Sequence, residues 1–372
     1  MNNALAHSPL RSHPENPFEI SFQEILSTAA YLGASDLHIE PFSGSLRIRA
    51  RVDGMLRVIQ EITIPRFAER LLREIKRTCQ FDMGKLAEPQ DSRFSPDYLT
   101  YDIRASLIPT LHGEKIVLRL LERGKRFSLT DYPLGDDAKR HLRSALAENQ
   151  GLILVSGPTG SGKTTLLYSA LSETNPLENN IHTLEDPVEY TLRSVVQTPI
   201  GNISFSAALA ALMRQDPDVI LIGEIRDEAT AKAALQAAST GHLVLSTVHA
   251  NSARESIDRL TELGLDYNRV QDLLLFASAQ RLIPRNCPSC KVPDLAASVF
   301  QSSSFFEDFT PMRGVGCDAC GYTGIKGREL LFEFLVQNGP RKILEQHGSI
   351  RESLTNAFRD GVINASNARV LF

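Results

Sequence analysis

The chain contains no tryptophan, and aromatic residues make up only 7% of its 372 positions. Nor is there a basic excess: 40 Lys and Arg face 44 Asp and Glu, for a net charge of −4. A surface that tracks nucleic acid needs a basic stripe, and binding single strands also calls for stacking aromatics. A nucleic-acid partner is therefore not expected. No apolar run approaches the roughly 18 residues of a membrane span. The N-terminal "MNNALAHSPLRSHPENP" lacks the apolar region of a signal peptide, so residues 1–19 read as a disordered tail on a cytoplasmic chain. Five cysteines in such a chain argue against a disulfide framework. No internal repeat or low-complexity block is present.

What is present is enough apolar residue, 42%, for two or three domains of about 100–200 residues each. Over residues 20–122 the pattern is that of a small α+β domain. "SFQEILSTAAY" reads as a short amphipathic helix. Leu46, Ile48, Ala50 and Val52 alternate with Arg47, Arg49 and Arg51, the period of a half-buried strand. Asp53-Gly54 then predicts a tight hairpin turn, because that pair tolerates positive φ. "YDIRASLI" and "EKIVLRLL" repeat the strand pattern after a helical "RFAERLLREIKRTC". Residues 123–135 read as an interdomain linker.

From residue 136 to 286 short apolar strands alternate with helices, which predicts a parallel sheet. "GPTGSGKT", residues 157–164, fits the phosphate-loop pattern between a strand and a helix. Gly157, Pro158, Thr159, Gly160, Ser161 and Gly162 form the turn, and its glycines let backbone N–H groups curl around phosphates. Lys163 reaches the β- and γ-phosphates, Thr164 offers its hydroxyl to Mg²⁺, and Thr165 completes the first turn of the helix. Two acidic clusters follow apolar strands, so both can lie at the sheet edge where open α/β sheets place ligands. One is Glu185 and Asp186 in "TLEDPVEY"; the other is Glu224 in "VILIGEIRD". His249, at a strand end beside Thr247 and Asn251, is placed to sense a γ-phosphate, and His242 precedes the same strand.

Cys287-x₂-Cys290 and Cys317-x₂-Cys320, with 26 residues between the pairs, offer four thiolates to one tetrahedral Zn²⁺. The turn-forming flanks "CPSC" and "CDACGYTG" favour this reading. Residues 287–322 then form a tetracysteine zinc element, and residues 323–372 are expected to be C-terminal helices. Cys79 falls in an amphipathic helix and reads as packing.

Taken together, "ASDLHIEP", "RVDGML", "DIRASLIPTLHGEKIVLRLL", "SGPTGSGKTTLLYSAL", "TLEDPVEY", "QDPDVILIGEIRD", "GHLVLSTVHANSA" and the paired CxxC motifs resemble the traffic ATPases of type II secretion and type IV pilus assembly. The resemblance covers roughly residues 20 to 360. It implies a PAS-like N-terminal α+β domain followed by a RecA-like phosphate-loop ATPase domain. It gives the metal-supporting role to Glu224 and the water-polarising role to Glu185, with Asp186 beside it. It also directs Arg104 and Arg119 at the nucleotide, Arg93 being a further candidate. A homo-oligomeric ring, taken as a hexamer, would use ATP and Mg²⁺ to drive an inner-membrane platform protein, to which it would attach peripherally. Export members usually carry a further N-terminal domain, and only about 20 residues precede the shared region here. A minimal motor or a different docking partner is therefore expected. Alternatives are a retraction or conjugation-type ATPase, or a scaffold with little hydrolysis. The zinc element weighs against retraction, and the full set of catalytic-type residues weighs against a scaffold.

Overall fold

The computed structural model describes residues 20–85, 88–294, 310–338 and 343–369, so the tail expected over residues 1–19 lies outside the described residues. The chain divides into two compact units. One comprises Met1–Lys125, Pro284–Val292 and Gly314–Arg328; the other comprises Arg126–Ile283, Pro293–Arg313 and Glu329–Phe372.

The first unit begins with α1 (Phe22–Tyr31), opened by a capping box in which Ser21 and Glu24 satisfy each other's backbone N–H groups. It continues through β1 (Asp36–Phe42), β2 (Ser45–Val52), β3 (Met55–Ile62), α2 (Pro65–Thr78), β4 (Gln90–Phe94), β5 (Tyr101–Thr110) and β6 (Gly113–Glu122). The six strands make an antiparallel sheet in the order β3-β2-β1-β6-β5-β4. β2 buries Leu46, Ile48, Ala50 and Val52 and leaves the alternate arginines partly exposed, as its period requires. The β2–β3 hairpin turns on Asp53 at φ 51° and Gly54 at φ 83°, with Val52 opposite Met55. Cys79 is buried, and burial pushes its thiol up to about 12, which makes it an inert core group.

The second unit runs α3 (Asp136–Leu146), β7 (Gly151–Ser156), α4 (Lys163–Leu171), β8 (Ile181–Glu185), β9 (Val196–Pro199), α5 (Phe205–Leu212), β10 (Val219–Ile222), α6 (Glu228–Ser239) and β11 (Leu243–Val248). Then come α7 (Glu255–Glu262), α8 (Tyr267–Leu273), β12 (Leu274–Asn286), the short β13 (Lys291–Pro293) and β14 (Met312–Gly314), β15 (Ile325–Asn338), β16 (Ile343–His347), α9 (Ile350–Arg359) and α10 (Ala365–Ala368). Eight strands form one sheet, in the order β16-β15-β12-β7-β11-β10-β8-β9. Its central strands are parallel and buried on both faces. Leu152, Leu154, Ile220 and Ile222 pack into one core, while Ile153, Val155, Val219 and Leu221 pack into the other.

The C-terminal segment departs from expectation. Two helices, α9 and α10, do close the chain, but residues 325–338 form a long strand and not a helix. Leu and Glu in "RELLFEFLVQN" favour helix intrinsically, yet pairing within the sheet outweighs that preference. β12 extends the same sheet on the other side of β7 from β11.

One buried ion pair ties α2 to β6. Lys76 Nζ donates to Glu114 Oε1 at 2.7 Å and Oε2 at 2.8 Å, and the lysine side chain is only 4% exposed. Glu114→Ala should strand that ammonium and cost about 3–5 kcal/mol, seen as a lower chemical-denaturation midpoint. Lys76→Met combined with Glu114→Leu should recover most of the loss. An unmoved midpoint in Glu114→Ala would show that the pair contributes nothing.

Candidate active site

The phosphate loop leaves the sheet directly after β7. A Cβ on Gly157 (φ 143°) would stand 2.4 Å from the Gln280 carbonyl oxygen and 2.6 Å from Ser161 Oγ, so only glycine fits there. Pro158, Thr159 and Gly160 are exposed, and Gly160 and Gly162 take positive φ, which turns successive N–H groups inward. Gly162 caps α4, whose first turn carries Lys163, Thr164 and Thr165, all half-buried. Ser161 Oγ is buried without a hydrogen-bond partner. The positive-φ cradle, this orphaned hydroxyl and the helix N-terminus suit a bound phosphate chain.

A brace holds the loop that the sequence did not disclose. Gln280, buried at the start of the segment after Ala279, donates from Nε2 to the Ser161 carbonyl at 2.6 Å and to Tyr132 Oη at 3.2 Å. The ammonium of Lys163 donates to the carbonyls of Gly157 at 2.7 Å and Pro158 at 3.1 Å. Burial lowers the Lys163 pKa; the charges of Glu224 and Glu189 pull it back up, and that of Arg281 lowers it further. Arg281 itself donates to the Asn251 carbonyl and side chain, both at 3.1 Å.

The acidic clusters separate into different roles. Glu224 follows β10, and Gly223 before it leaves little room, since a Cβ there would lie 3.2 Å from the Leu184 carbonyl oxygen. The Glu224 carboxylate receives His249 Nε2 at 2.9 Å and Arg226 Nε at 2.8 Å. Glu185 closes β8 and is 3% exposed. It accepts from Tyr168 Oη, from Thr183 Oγ1 at 2.5 Å and from Gln197 Nε2 at 3.0 Å. This carboxylate is sealed by three donors, an arrangement that suits a positioning group. Asp186 is exposed, and Glu189, four residues on from Glu185, is half-buried. Glu189 went unread although it stands in the same "TLEDPVEY" stretch; nothing in the pattern says which of the two glutamates faces inward.

His249 joins Glu224, whereas His242 donates from Nδ1 to the Ala237 carbonyl at 3.1 Å and closes the end of α6. In the first unit, cross-strand register sets Arg93 opposite Arg104 and Arg104 opposite Arg119. Like charges directly opposite repel. Asp36 relieves part of the repulsion, accepting from Arg119 Nε at 3.0 Å.

The four cysteines gather as expected. Cys287 Sγ lies 3.8 Å from Cys317 Sγ, Cys290 Sγ 3.9 Å from Cys320 Sγ, and Cys317 Sγ 3.8 Å from Cys320 Sγ. Zinc–sulfur bonds of about 2.3 Å place tetrahedral sulfurs about 3.8 Å apart. Burial opposes ionisation of Cys320, but N–H donation from Cys317 (3.3 Å) and Gly324 (3.2 Å) prevails and brings its thiol down to about 6. The donor set and spacing fit zinc. Arg57 of β3 donates to the Cys320 carbonyl at 3.2 Å and the Ile325 carbonyl at 3.4 Å.

Comparison with known proteins agrees with this architecture. Residues 12–369 match the family described as type II/IV secretion system protein. Type II secretion system protein E of Dickeya dadantii is 40% identical over 333 residues, covering 87% of this chain and 66% of that protein. Type II secretion system ATPase E of Vibrio cholerae is 39% identical over 339 residues, covering 88% and 67%. The match thus spans about two thirds of the length of these relatives. Among solved structures, the Legionella pneumophila ATPase DotB aligns with a TM-score of 0.71 at 21% identity, over 96% of this chain and 97% of that one. The pilus retraction motor PilT with bound ADP aligns with a TM-score of 0.64 at 25% identity, over 95% and 97%. With a secretion-ATPase fold, a phosphate loop flanked by strand-end acids and this match along nearly its whole length, the chain belongs to the type II/IV secretion system protein family, within its ATPase branch.

Proposed function

We propose that this chain binds ATP on the loop 157–164 and hydrolyses it to power type II protein secretion or type IV pilus assembly. The observation that carries the reading is the positive-φ loop of Gly157, Gly160 and Gly162 leading into α4, with Lys163 in its first turn and Ser161 Oγ buried without a hydrogen-bond partner. Loop N–H groups and Lys163 bind the phosphates. Thr164 and Glu224 would hold Mg²⁺, which neutralises phosphate charge when bound. Glu189 orients the attacking water and takes its proton, His249 steadies Glu224, and Glu185 fixes the β8 end through Tyr168, Thr183 and Gln197. Arg104 and Arg119, with Arg93 beside them, supply further positive charge to the phosphates.

The working form is a homo-oligomeric ring, taken as six subunits, with a PAS-like first unit. It acts peripherally at the inner membrane, on a platform protein. No helix among the described residues is long and apolar enough to cross a membrane. Likeness to PilT is what favours retraction as a second reading; 40% identity to the Dickeya protein against 25% to PilT supports export. Zinc is proposed for Cys287, Cys290, Cys317 and Cys320.

Two measurements test this. In steady-state ATPase assays, Glu189→Gln should lose about 100-fold or more in kcat, within the range of a removed general base, with ATP affinity and thermal midpoint near wild type. Glu185→Gln, which puts an amide where three donors converge, should instead destabilise the fold by about 1–3 kcal/mol. A stable, inactive Glu185→Gln beside a fully active Glu189→Gln would return the water to Glu185. A wild type that binds ATP in a ring yet never hydrolyses it would favour the scaffold. Separately, Cys317→Ser should remove one equivalent of zinc per chain and lower the thermal midpoint; unchanged metal content would refute the zinc assignment.

A further inference from the structure

Among the described residues, a second group of ligating side chains lies outside the nucleotide site and the cysteine element: Asp137, His141 and His347. Asp137 and His141 stand four apart on α3 and so share a face. His347 closes the edge strand β16, opposite Phe334 of β15. Its ring stacks on Phe334 at 4.5 Å between centroids with 10° between planes, and Phe334 stacks in turn on Phe276 at 5.5 Å. That stack fixes the imidazole plane and aims Nδ1 at Asp137 Oδ2, 3.2 Å away. His141 Nε2 lies 3.6 Å from Asp137 Oδ1, and the two rings are 5.0 Å apart.

The ligating atoms all fall within 4.8 Å of one another. About a metal bonded at roughly 2.1 Å they would be some 3.0–3.4 Å apart, so closure needs about an ångström of side-chain adjustment. Asp137 and His141 can supply it, being 49% and 31% exposed. Arg140 also pairs with Asp137, but from a side chain that is 70% exposed and able to swing away. What separates this cluster from an ordinary surface network is the far nitrogen of His347. Nε2 is buried with no hydrogen-bond partner, 4.0 Å from Glu345 Oε1. A neutral imidazole donating from Nδ1 to Asp137 leaves Nε2 as a buried, unsatisfied lone pair. With a metal on Nδ1, Nε2 carries the hydrogen and faces a carboxylate, the arrangement that orients metal-bound histidines.

We propose that Asp137, His141 and His347 form a second, three-ligand site for a divalent transition metal of the zinc class, clasping α3 to the edge strand β16. Two imidazoles and one carboxylate suit zinc or cobalt, and the remaining coordination falls to water. The full-length protein, loaded with a slight excess of Zn²⁺ and desalted, should carry two equivalents per chain by mass spectrometry. His347→Gln and His141→Gln should each carry one, with the thermal midpoint of His141→Gln in chelator near that of wild type. His141→Gln removes a ring from the helix face alone, so it tests the site even if loss of the Phe334 stack disturbs β16. Co²⁺ added to protein carrying a single zinc equivalent, on the cysteines, should give visible d–d bands without thiolate charge transfer, and either substitution should abolish them. One equivalent in wild type, or two in either variant, would overturn the proposal.

Discussion

The parallel register of β7 between β11 and β12 is the constraint on which the site depends. Ser156 pairs with Val248 on one side and Ala279 on the other. Gly157 and His249 therefore leave the sheet at the level of Gln280 in β12, and the loop, His249 and the brace lie at one level without any loop having to carry them there. The next pairings extend the level outward. Ile222 lies opposite Ser246 and Leu184, so Glu224 and Glu185 emerge along the same edge. A slip of one residue would turn each core residue to the opposite face. The alternation of Leu152 and Leu154 against Ile153 and Val155 into separate cores makes such a slip costly, and the packing of the sheet thereby fixes the geometry of the chemistry.

Local information was enough for the features that are local. The phosphate loop, the Asp53-Gly54 turn and the arginine-alternating β2 each follow from a few consecutive residues whose backbone demands are specific. The four cysteines were legible for a related reason, since thiolate spacing is itself a geometric code. Other features rest on partners distant in the chain. Gln280 and Ser161 are separated by 119 positions, and Arg57 and Cys320 by 263. Glu185 and Glu189 look alike in "TLEDPVEY"; which one is sealed depends on Tyr168 and Gln197. The strand at 325–338 was missed because its own residues favour helix and only its neighbours in the sheet decide otherwise.

Electrostatics divides the carboxylates in the same way. Glu185 is surrounded by neutral donors, Tyr168, Thr183 and Gln197, which hold a charge in place without cancelling it. Such a group resists movement, and a residue that must take a proton from water needs the opposite. Glu224 meets two cationic or ionisable groups, His249 and Arg226, and both side chains are more than half exposed. Those two partners can be exchanged at little cost where they reach solvent.

The first unit applies the same physics in reverse. Its arginine row concentrates positive charge where cross-strand pairing would ordinarily alternate it, and Asp36 offsets one member only in part. Arg57 is half-buried instead, with a pKa lowered by desolvation and raised in part by Asp53 and Cys320. The Cys320 and Ile325 carbonyls accept two of its N–H groups, while Nε is buried without a partner. A zinc ion held by four thiolates would carry a net charge of about −2. Arg57 beside such an ion would be an electrostatic counterweight as well as a hydrogen-bond donor. The β2–β3 hairpin, held from its turn by Asp53 accepting the Gly327 N–H at 2.8 Å, and the cysteine element are thus one structural body, although more than 250 positions separate them.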